Sequence, residues 1–292
     1  METVTSWTMR GGSVSLDRPV VLGILNITPD SFSDSDRWLD PAAALDRALQ
    51  MVDEGADVID VGAESTRPGA QSVNAEEEWL RLSPIVPMLA RQGIRFSVDT
   101  TKLEVARCAL DEGAGAINDV SGLRFSPEIA PLCAEHGAGL ILMHMRGEPR
   151  TMQADVAYDD LLGEVLEFLM AQATLARSAG CMADQIVIDP GIGFGKSARQ
   201  NLELLGRIEE FACSGYPVLV GPSRKSFIGQ TLDLPIEDRL EATIAACLTA
   251  LEGGAGLFRV HDVAPARRAL DMADAIRRVT GGRMKDRQGD HR

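Results

Sequence analysis

The chain lacks any long apolar run and any recognisable export signal. Its longest apolar stretches, residues 20–27 and 137–143 of 292, have the length of a strand, whereas a membrane-spanning helix needs about 20 apolar residues. The first ten residues contain no basic segment followed by an apolar one, as a secretory signal would. We therefore expect a protein without a membrane segment that resides in the cytoplasm.

Cysteine is too scarce and too scattered to build a disulfide framework or a zinc site. The five cysteines are widely spaced, their number is odd, and no CxxC pair occurs. Disulfide-rich and zinc-binding domains carry paired, closely spaced cysteines instead. We interpret the cysteines as small apolar residues of a protein kept in a reducing compartment.

Positive charge is also in short supply. The chain has 29 Lys and Arg residues against 43 Asp and Glu residues, which gives a net charge of −14. Such a protein repels phosphate backbones and anionic membranes, so nucleic acid and lipid are not expected as partners. A small anionic substrate would have to meet a local cluster of cationic side chains or a bound cation.

Short β-branched runs alternate with longer helical patterns eight times along the chain. The runs are largely apolar on both faces, as parallel strands covered by helices are. The predicted strands cover residues 20–27, 57–62, 95–100, 116–121, 139–144, 185–191, 217–223 and 257–262. The predicted helices cover residues 41–54, 76–91, 102–112, 127–136, 159–179, 199–213, 239–252 and 265–279. Eight such units favour a single-domain α/β fold, the (β/α)8 TIM barrel, over an open doubly wound sheet.

The barrel is expected to occupy residues 20–280. Residues 1–19 precede the first strand and are predicted to form an N-terminal segment that caps the bottom of the barrel. Residues 281–292 are predicted to form a polar tail. No linker or low-complexity segment marks a second domain.

Polar residues stand at the carboxyl ends of all eight predicted strands, where barrels of this kind carry their chemistry. They include Asn26, Asp60, Asp99, Asn118, His144, Asp189, Lys225, Arg259 and His261. Burying a charge without a partner is costly. One shared polar site therefore explains these residues better than eight separate structural roles.

The cationic members of this set suit a phosphate or pyrophosphate. Lys225 follows the seventh predicted strand, Arg259 and His261 lie in the eighth, and Arg67 lies in the loop after the second. Asn26 ends the first strand and, with nearby carboxylates, offers oxygen ligands of the kind that Mg²⁺ prefers.

The neutral and acidic members suit a flat heterocycle with amide and amino edges. Asp99 and Asp189 are hydrogen-bond acceptors, and Asn118 is both donor and acceptor. No Ser-His-Asp arrangement is evident, which disfavours covalent catalysis. Residues 191–197 look like a phosphate loop, but Pro190 stands where that motif requires its first glycine. We expect a site that acts by positioning and electrostatics.

The ordered strand-end blocks resemble the dihydropteroate synthase family over residues 20–263. The two family signatures read LGILNITPDSFSD at residues 22–34 and GAESTRPGA at residues 62–70. Further blocks are SVDT, IND, MHM, DPGIGFGK, GPSRKS and RVHD. The resemblance implies that p-aminobenzoate is joined to 6-hydroxymethyl-7,8-dihydropterin diphosphate with release of pyrophosphate. It further implies a Mg²⁺ cofactor, a homodimer and a target of sulfonamides.

The resemblance also implies a role for each matching residue. Asp99, Asn118, Asp189 and Lys225 would hold the pterin, with Met143 in the pocket wall. Arg259 and His261 would hold the diphosphate, with Asn26 near the metal ion. The residues implied around p-aminobenzoate are Phe32, Thr66, Arg67, Pro68, Phe194, Lys225 and Ser226. Asp99, Lys225, Arg259 and His261 are the implied catalytic residues.

The expected chemistry is a dissociative substitution with ordered binding. An arylamine is neutral at pH 7 and needs no strong base, so the difficult event is departure of the diphosphate. Asp99 beside the dihydropterin would stabilise the positive charge that develops at the methylene carbon. The pterin diphosphate is expected to bind first.

Three alternatives are compatible with parts of the pattern. A corrinoid-linked methyltransferase would share the pterin-reading Asp and Asn but would not need Lys225, Arg259 and His261. A catalytically idle paralogue would bind pterins without releasing pyrophosphate. A phosphate-binding aldolase would need a Schiff-base lysine on a strand, whereas Lys225 follows one. Ser35, Asp36, Arg146 and Glu148 depart from the commonest family pattern, all in predicted loops.

Overall fold

The computed structural model describes residues 4–27, 40–64, 72–147, 152 and 156–280. Eight parallel strands form one sheet in the order β8-β7-β6-β5-β4-β3-β10-β9. These strands are β3 (Val20–Asn26), β4 (Val58–Gly62), β5 (Phe96–Asp99), β6 (Ala116–Asp119), β7 (Gly139–Met143), β8 (Ile186–Asp189), β9 (Leu219–Val220) and β10 (Leu257–Val260). A parallel bridge between Ile188 and Val218 joins the two edges of the sheet. The predicted TIM barrel is confirmed.

Helices cover the outside of the barrel and bury a continuous apolar layer against the strands. They are α1 (Pro41–Asp53), α2 (Ala75–Leu82), α3 (Val86–Arg91), α4 (Leu103–Asp111), α5 (Ile129–His136), α6 (Leu161–Ser178), α7 (Ala198–Gly206), α8 (Ile208–Ala212), α9 (Ser226–Leu232), α10 (Leu240–Glu252) and α11 (Val263–Val279). No described helix is long and apolar enough to cross a membrane.

Two of the predicted helices are each divided in the structure. The predicted helix 76–91 consists of α2 and α3, because Pro84 has no N–H and cannot donate a helical hydrogen bond. The predicted helix 199–213 breaks at Arg207, whose backbone leaves the helical region. Helix α9 was not predicted at all, and its seven residues directly follow a loop rich in turn formers.

A hairpin covers the amino-terminal end of the barrel. Strands β1 (Ser6–Met9) and β2 (Gly12–Ser15) pair antiparallel. Trp7 is fully buried, and its indole nitrogen donates to the carbonyl of Gln185 at 3.0 Å. A Cβ at Gly139 would lie 2.7 Å from that nitrogen, so only glycine lets the ring pack here. The hairpin closes this end of the barrel and leaves the carboxyl ends of the strands for the site.

Candidate active site

The register of the sheet brings five predicted residues to the same mouth of the barrel. Asn26 pairs with Gly62, Gly62 with Asp99, and Asp99 with Asn118. On the far side of the mouth, Met143 pairs with Asp189. These residues end strands β3, β5, β6, β7 and β8, so the polar strand ends share one surface.

Arg259 on β10 links two acidic residues across the mouth. Its Nε donates to Asp60 Oδ2 at 2.5 Å, and its Nη2 donates to Asp99 Oδ2 at 3.0 Å. Asp60 is fully buried and also accepts from Asn118 Nδ2 at 3.1 Å and from Ser97 Oγ at 2.6 Å. Asp60 therefore orients the guanidinium and the amide that face the mouth.

The charges of this network are set by burial and by each other. Burial raises the pKa of Asp99 to about 8, although the neighbouring Arg259 opposes the shift. Burial disfavours the charge of Arg259, but Asp60 and Asp99 raise its pKa, so the guanidinium stays charged. The site thus holds one permanent cation beside a carboxyl group that titrates near neutral pH.

We expect Asp60→Asn to lower kcat/KM for the pterin diphosphate substrate by on the order of tenfold. An amide cannot accept three hydrogen bonds as the carboxylate does, so Arg259 and Asn118 lose their common anchor. Ser97→Ala is the matched control, since it removes a single donor and keeps the carboxylate. Steady-state kinetics of both variants check this, and equal kcat/KM values would contradict the orienting role of Asp60.

A second cluster surrounds the end of β8. Oδ1 of Asp189 accepts from the backbone nitrogen of Gly191 at 2.7 Å. Burial raises the pKa of Asp189, and the cation of Lys225 opposes that shift. The Nζ of Lys225 donates to the carbonyl of Ile192 and lies 4.3 Å from the centre of the Phe194 ring. Burial lowers the pKa of Lys225 to about 7, while Asp189 opposes this.

The two clusters form one electrostatic unit. Arg259 opposes the rise in the pKa of Asp189 that burial causes. Arg259 also adds to the lowering of the pKa of Lys225 that burial causes. An apolar cluster lines the same end of the barrel, and its members are Val120, Met143, Met145, Met152 and Phe194. The site combines acceptors, two cations and an apolar wall, which suits a flat polar ring attached to an anionic group.

His261 follows β10 and is held by Ser223, which follows β9. Ser223 Oγ lies 3.0 Å from His261 Nδ1 and accepts from the His261 backbone nitrogen at 3.2 Å. The adjacent Arg224 forms a two-pronged ion pair with Asp262, with Nε 2.8 Å from Oδ2. Arg224 therefore acts on the shape of this loop through its ion pair with Asp262.

The remaining predicted residues are placed differently. Ser226 begins α9 and is exposed, and Asn26 is half-buried at the end of β3. Phe32, Thr66, Arg67 and Pro68 lie outside the described residues, as do Ser35, Asp36 and Glu148. Arg146 lies over the Tyr158 ring and pairs with Glu164. Within the described part of the chain, no group of three or more His, Cys, Asp or Glu residues could hold a metal ion.

Two residues that the sequence interpretation missed hold the segment after β8. Lys196 is buried beneath it, and Asn201 on α7 accepts from the backbone nitrogen of Gly193 at 2.6 Å. Lys196 stands in the DPGIGFGK block, which the sequence analysis matched to the family and rejected as a phosphate loop without giving its lysine a role. The lysine that follows three closely spaced glycines in this block is the signal that could have drawn attention to Lys196.

Comparison with known proteins places this site in a family. Residues 22–261 match the family model described as pterin binding enzyme. The dihydropteroate synthase of Synechocystis sp. is 49% identical over 261 residues, covering 89% of this chain and 90% of the relative. The chain belongs to the dihydropteroate synthase family of pterin-binding enzymes. The predicted family and the predicted transferase activity in folate synthesis are confirmed.

Solved dihydropteroate synthases share this fold. The Yersinia pestis enzyme in a sulfonamide drug complex superposes with a TM-score of 0.88 at 39% identity, covering 94% of this chain and 99% of that one. The Thermus thermophilus enzyme in complex with 4-aminobenzoate gives a TM-score of 0.84 at 44% identity, covering 93% and 99%. These neighbours favour the dihydropteroate synthase interpretation over the methyltransferase and aldolase alternatives.

Proposed function

We propose that the chain joins 6-hydroxymethyl-7,8-dihydropterin diphosphate to p-aminobenzoate, forms 7,8-dihydropteroate and releases pyrophosphate. The observation that carries this proposal is the network in which Arg259 joins Asp60 and Asp99 beside Asp189 and Lys225. A Thermus thermophilus relative has been solved in complex with 6HMPPP, which supports the choice of substrate. The relative bound to 4-aminobenzoate supports the second substrate.

The pterin is recognised through hydrogen bonds at its edge. Asp189 accepts from the amino group and the ring N–H of the pterin, which is a paired contact that discriminates against rings lacking either donor. Asn118, held by Asp60, supplies a donor and an acceptor at the end of β6, which is separated from β8 only by β7. Met143 and Phe194 form the apolar sides of the slot, and Lys225 completes it.

The diphosphate meets the cationic side of the mouth. Arg259 and His261 donate to its oxygens and stabilise the negative charge that grows as the C–O bond breaks. Bound Mg²⁺ would neutralise further charge on the leaving group. A single protein oxygen fits such an ion, because Mg²⁺ usually keeps several waters and binds substrate phosphates. Asn26, at the end of β3, would supply that oxygen.

The bond to the amine forms without a strong base. The nitrogen of p-aminobenzoate is neutral and its lone pair is available, so it captures the methylene carbon once the diphosphate departs with the electron pair of the C–O bond. The resulting ammonium group releases one proton to the solvent, which leaves the neutral secondary amine of 7,8-dihydropteroate. Arg259 faces the leaving group at this stage. Asp99 stabilises the positive charge shared by the methylene carbon and the dihydropterin ring. Phe32, Thr66, Arg67, Pro68, Phe194, Lys225 and Ser226 are the proposed contacts of p-aminobenzoate.

The proposed assembly is a homodimer in the cytoplasm. Light scattering during gel filtration tests the homodimeric state, and an eluted mass equal to that of one chain would contradict it.

The test of the proposed function is pyrophosphate release from the pterin diphosphate with Mg²⁺, with and without p-aminobenzoate. We expect release that depends on p-aminobenzoate and equals the dihydropteroate formed. If the pterin diphosphate binds but p-aminobenzoate neither reacts nor accelerates release, the chain is an idle pterin-binding paralogue. Omitting Mg²⁺ should reduce the rate of pyrophosphate release. An unchanged rate would show that the reaction does not need Mg²⁺.

A further inference from the structure

The segment of residues 190–195 between β8 and α7 lies between two lysines. Gly191 and Phe194 direct their carbonyl oxygens to Lys196 Nζ, at 3.1 and 3.0 Å. The carbonyl between them, on Ile192, accepts from Lys225 Nζ. Lys225 belongs to the proposed pterin and p-aminobenzoate pockets, whereas Lys196 is 2% exposed and cannot touch a substrate.

The environment of Lys196 is unusual for a buried lysine. His144 also contacts it, through Nδ1 at 2.9 Å and through its backbone carbonyl at 3.4 Å, and among the described residues no carboxylate forms an ion pair with it. The carbonyls of Gly191 and Phe194 and the imidazole of His144 are the three nearest partners, which matches the three donor hydrogens of a lysine ammonium group. Burial lowers the pKa of Lys196 to about 7 and, together with Lys196, lowers that of His144 to about 2. The imidazole is therefore neutral.

The backbone path of the segment 190–195 depends on two glycines. A Cβ at Gly191 would lie 1.9 Å from the carbonyl oxygen of His144, and one at Gly193 would lie 2.7 Å from Lys225 Cδ. Both glycines have positive φ angles, of 70° and 87°. The backbone thus runs in direct contact with the end of β7 and with Lys225, and the polar groups it presents there need partners.

We propose that Lys196 is a positioning residue for the pterin site, because its amine fixes the segment that sets Asp189, Phe194 and Lys225 relative to one another. The chain of contacts is continuous. Lys196 holds the Phe194 carbonyl, the Phe194 ring packs against Lys225 Nζ, and Oδ1 of Asp189 is held by Gly191. His144 is the second member of the device, since it supplies the third partner of the amine. This inference rests on the proposed function, which assigns those three residues to the substrates.

The first test replaces Lys196 by methionine, which has a similar length and no polar group. We expect kcat/KM for the pterin diphosphate to fall on the order of a hundredfold, since small displacements of a binding group have effects of this size. Most of the change should appear in KM and in the Kd of the pterin diphosphate measured by calorimetry without p-aminobenzoate. Arg199→Met is the control, because it removes an exposed positive charge three residues away.

The second test uses two variants of His144, in case the lysine variant does not fold. Both His144→Leu and His144→Asn lose the ring contact with Phe168. Only asparagine keeps a polar group near the position of Nδ1, so it can still bond the amine. We expect His144→Asn to bind the pterin diphosphate more tightly than His144→Leu does.

Two results would overturn the inference. One is a Lys196→Met protein that melts at a lower temperature but keeps the Kd and kcat/KM of the wild type, which is the behaviour of a purely structural lysine. The other is equal binding by the two His144 variants. If the wild type binds the pterin diphosphate but forms no dihydropteroate, the proposed function fails while both binding comparisons still decide the role of Lys196. A wild type that does not bind it overturns both.

Discussion

Arg259→Met is expected to reduce pyrophosphate release by about 10³-fold, the effect of removing a preorganised donor from a developing anion. The guanidinium supplies the fixed positive charge that faces the diphosphate and joins Asp60 to Asp99. The same change should lower the free energy of unfolding at pH 8 by about 3–5 kcal/mol, because two buried carboxylates lose their cation. Urea unfolding and a pyrophosphate assay measure the two effects.

Arg224→Met is the matched control for this prediction. It removes the same charge from the neighbouring strand end, but its ion pair with Asp262 is more exposed, with 40% of the Arg224 side chain accessible. We expect a loss of about 0–1 kcal/mol from that pair. If the two variants lose equal stability and equal activity, the network around Arg259 does not have the role assigned to it.

Asp99→Asn is expected to lower kcat on the order of a hundredfold while the Kd of the pterin diphosphate changes much less. Asparagine keeps the shape of the side chain and one acceptor oxygen for Arg259 but cannot balance a positive charge. Because that charge exists only in the transition state, its loss appears in kcat. Single-turnover kinetics with calorimetric Kd values separate the two, and turnover near that of the wild type would exclude the charge-stabilising role.

The dependence of both activity and stability on pH should change in the same variant. The pKa of Asp99 is raised to about 8, so the wild-type kcat/KM should rise with pH as Asp99 ionises. In the folded state Asp99 keeps its proton up to a higher pH than in the unfolded chain. Its contribution to the free energy of unfolding is therefore present at low pH and is lost as the pH rises towards 8.

Asp99→Asn should remove both trends. Between pH 5 and 8 its free energy of unfolding should decline less than that of the wild type, and its kcat/KM should lack the rise. Lys196 and Lys225, whose pKa values are lowered to about 7, titrate in the same range. Both lysines are present in the wild type and in the variant. The difference between the two proteins therefore reports the ionisation of Asp99 together with its effect on Lys225, whose pKa Asp99 raises. Parallel pH profiles would contradict the assignment.

The strands and the mouth of the barrel could be predicted because the strands are largely apolar runs with polar residues at or next to their carboxyl ends. Asp99, Asn118 and Asp189 are the last or next-to-last residues of β5, β6 and β8. In the parallel strands of one barrel such positions meet at the same end, regardless of where the helices begin and end. The shared site therefore follows from the order of the strands alone.

What could not be predicted depends on contacts between distant segments. The sequence places Asp60 among the polar residues at the strand ends, but it does not show that Asp60 joins Arg259, 199 positions away, to Asn118. Lys196 looks like part of a failed phosphate loop until His144 is seen beside it. The hairpin β1–β2 is four residues per strand, too short for a clear alternation of apolar and polar side chains.

In the proposed mechanism the strand-end groups promote departure of the diphosphate before the amine attacks. The most direct test is the secondary isotope effect on single-turnover pyrophosphate release from a substrate deuterated at both methylene positions. We predict slower release from the deuterated substrate, because the methylene carbon becomes trigonal as the C–O bond breaks. Equal rates, or a faster reaction of the deuterated substrate, would show that the amine displaces the diphosphate directly and would contradict the account.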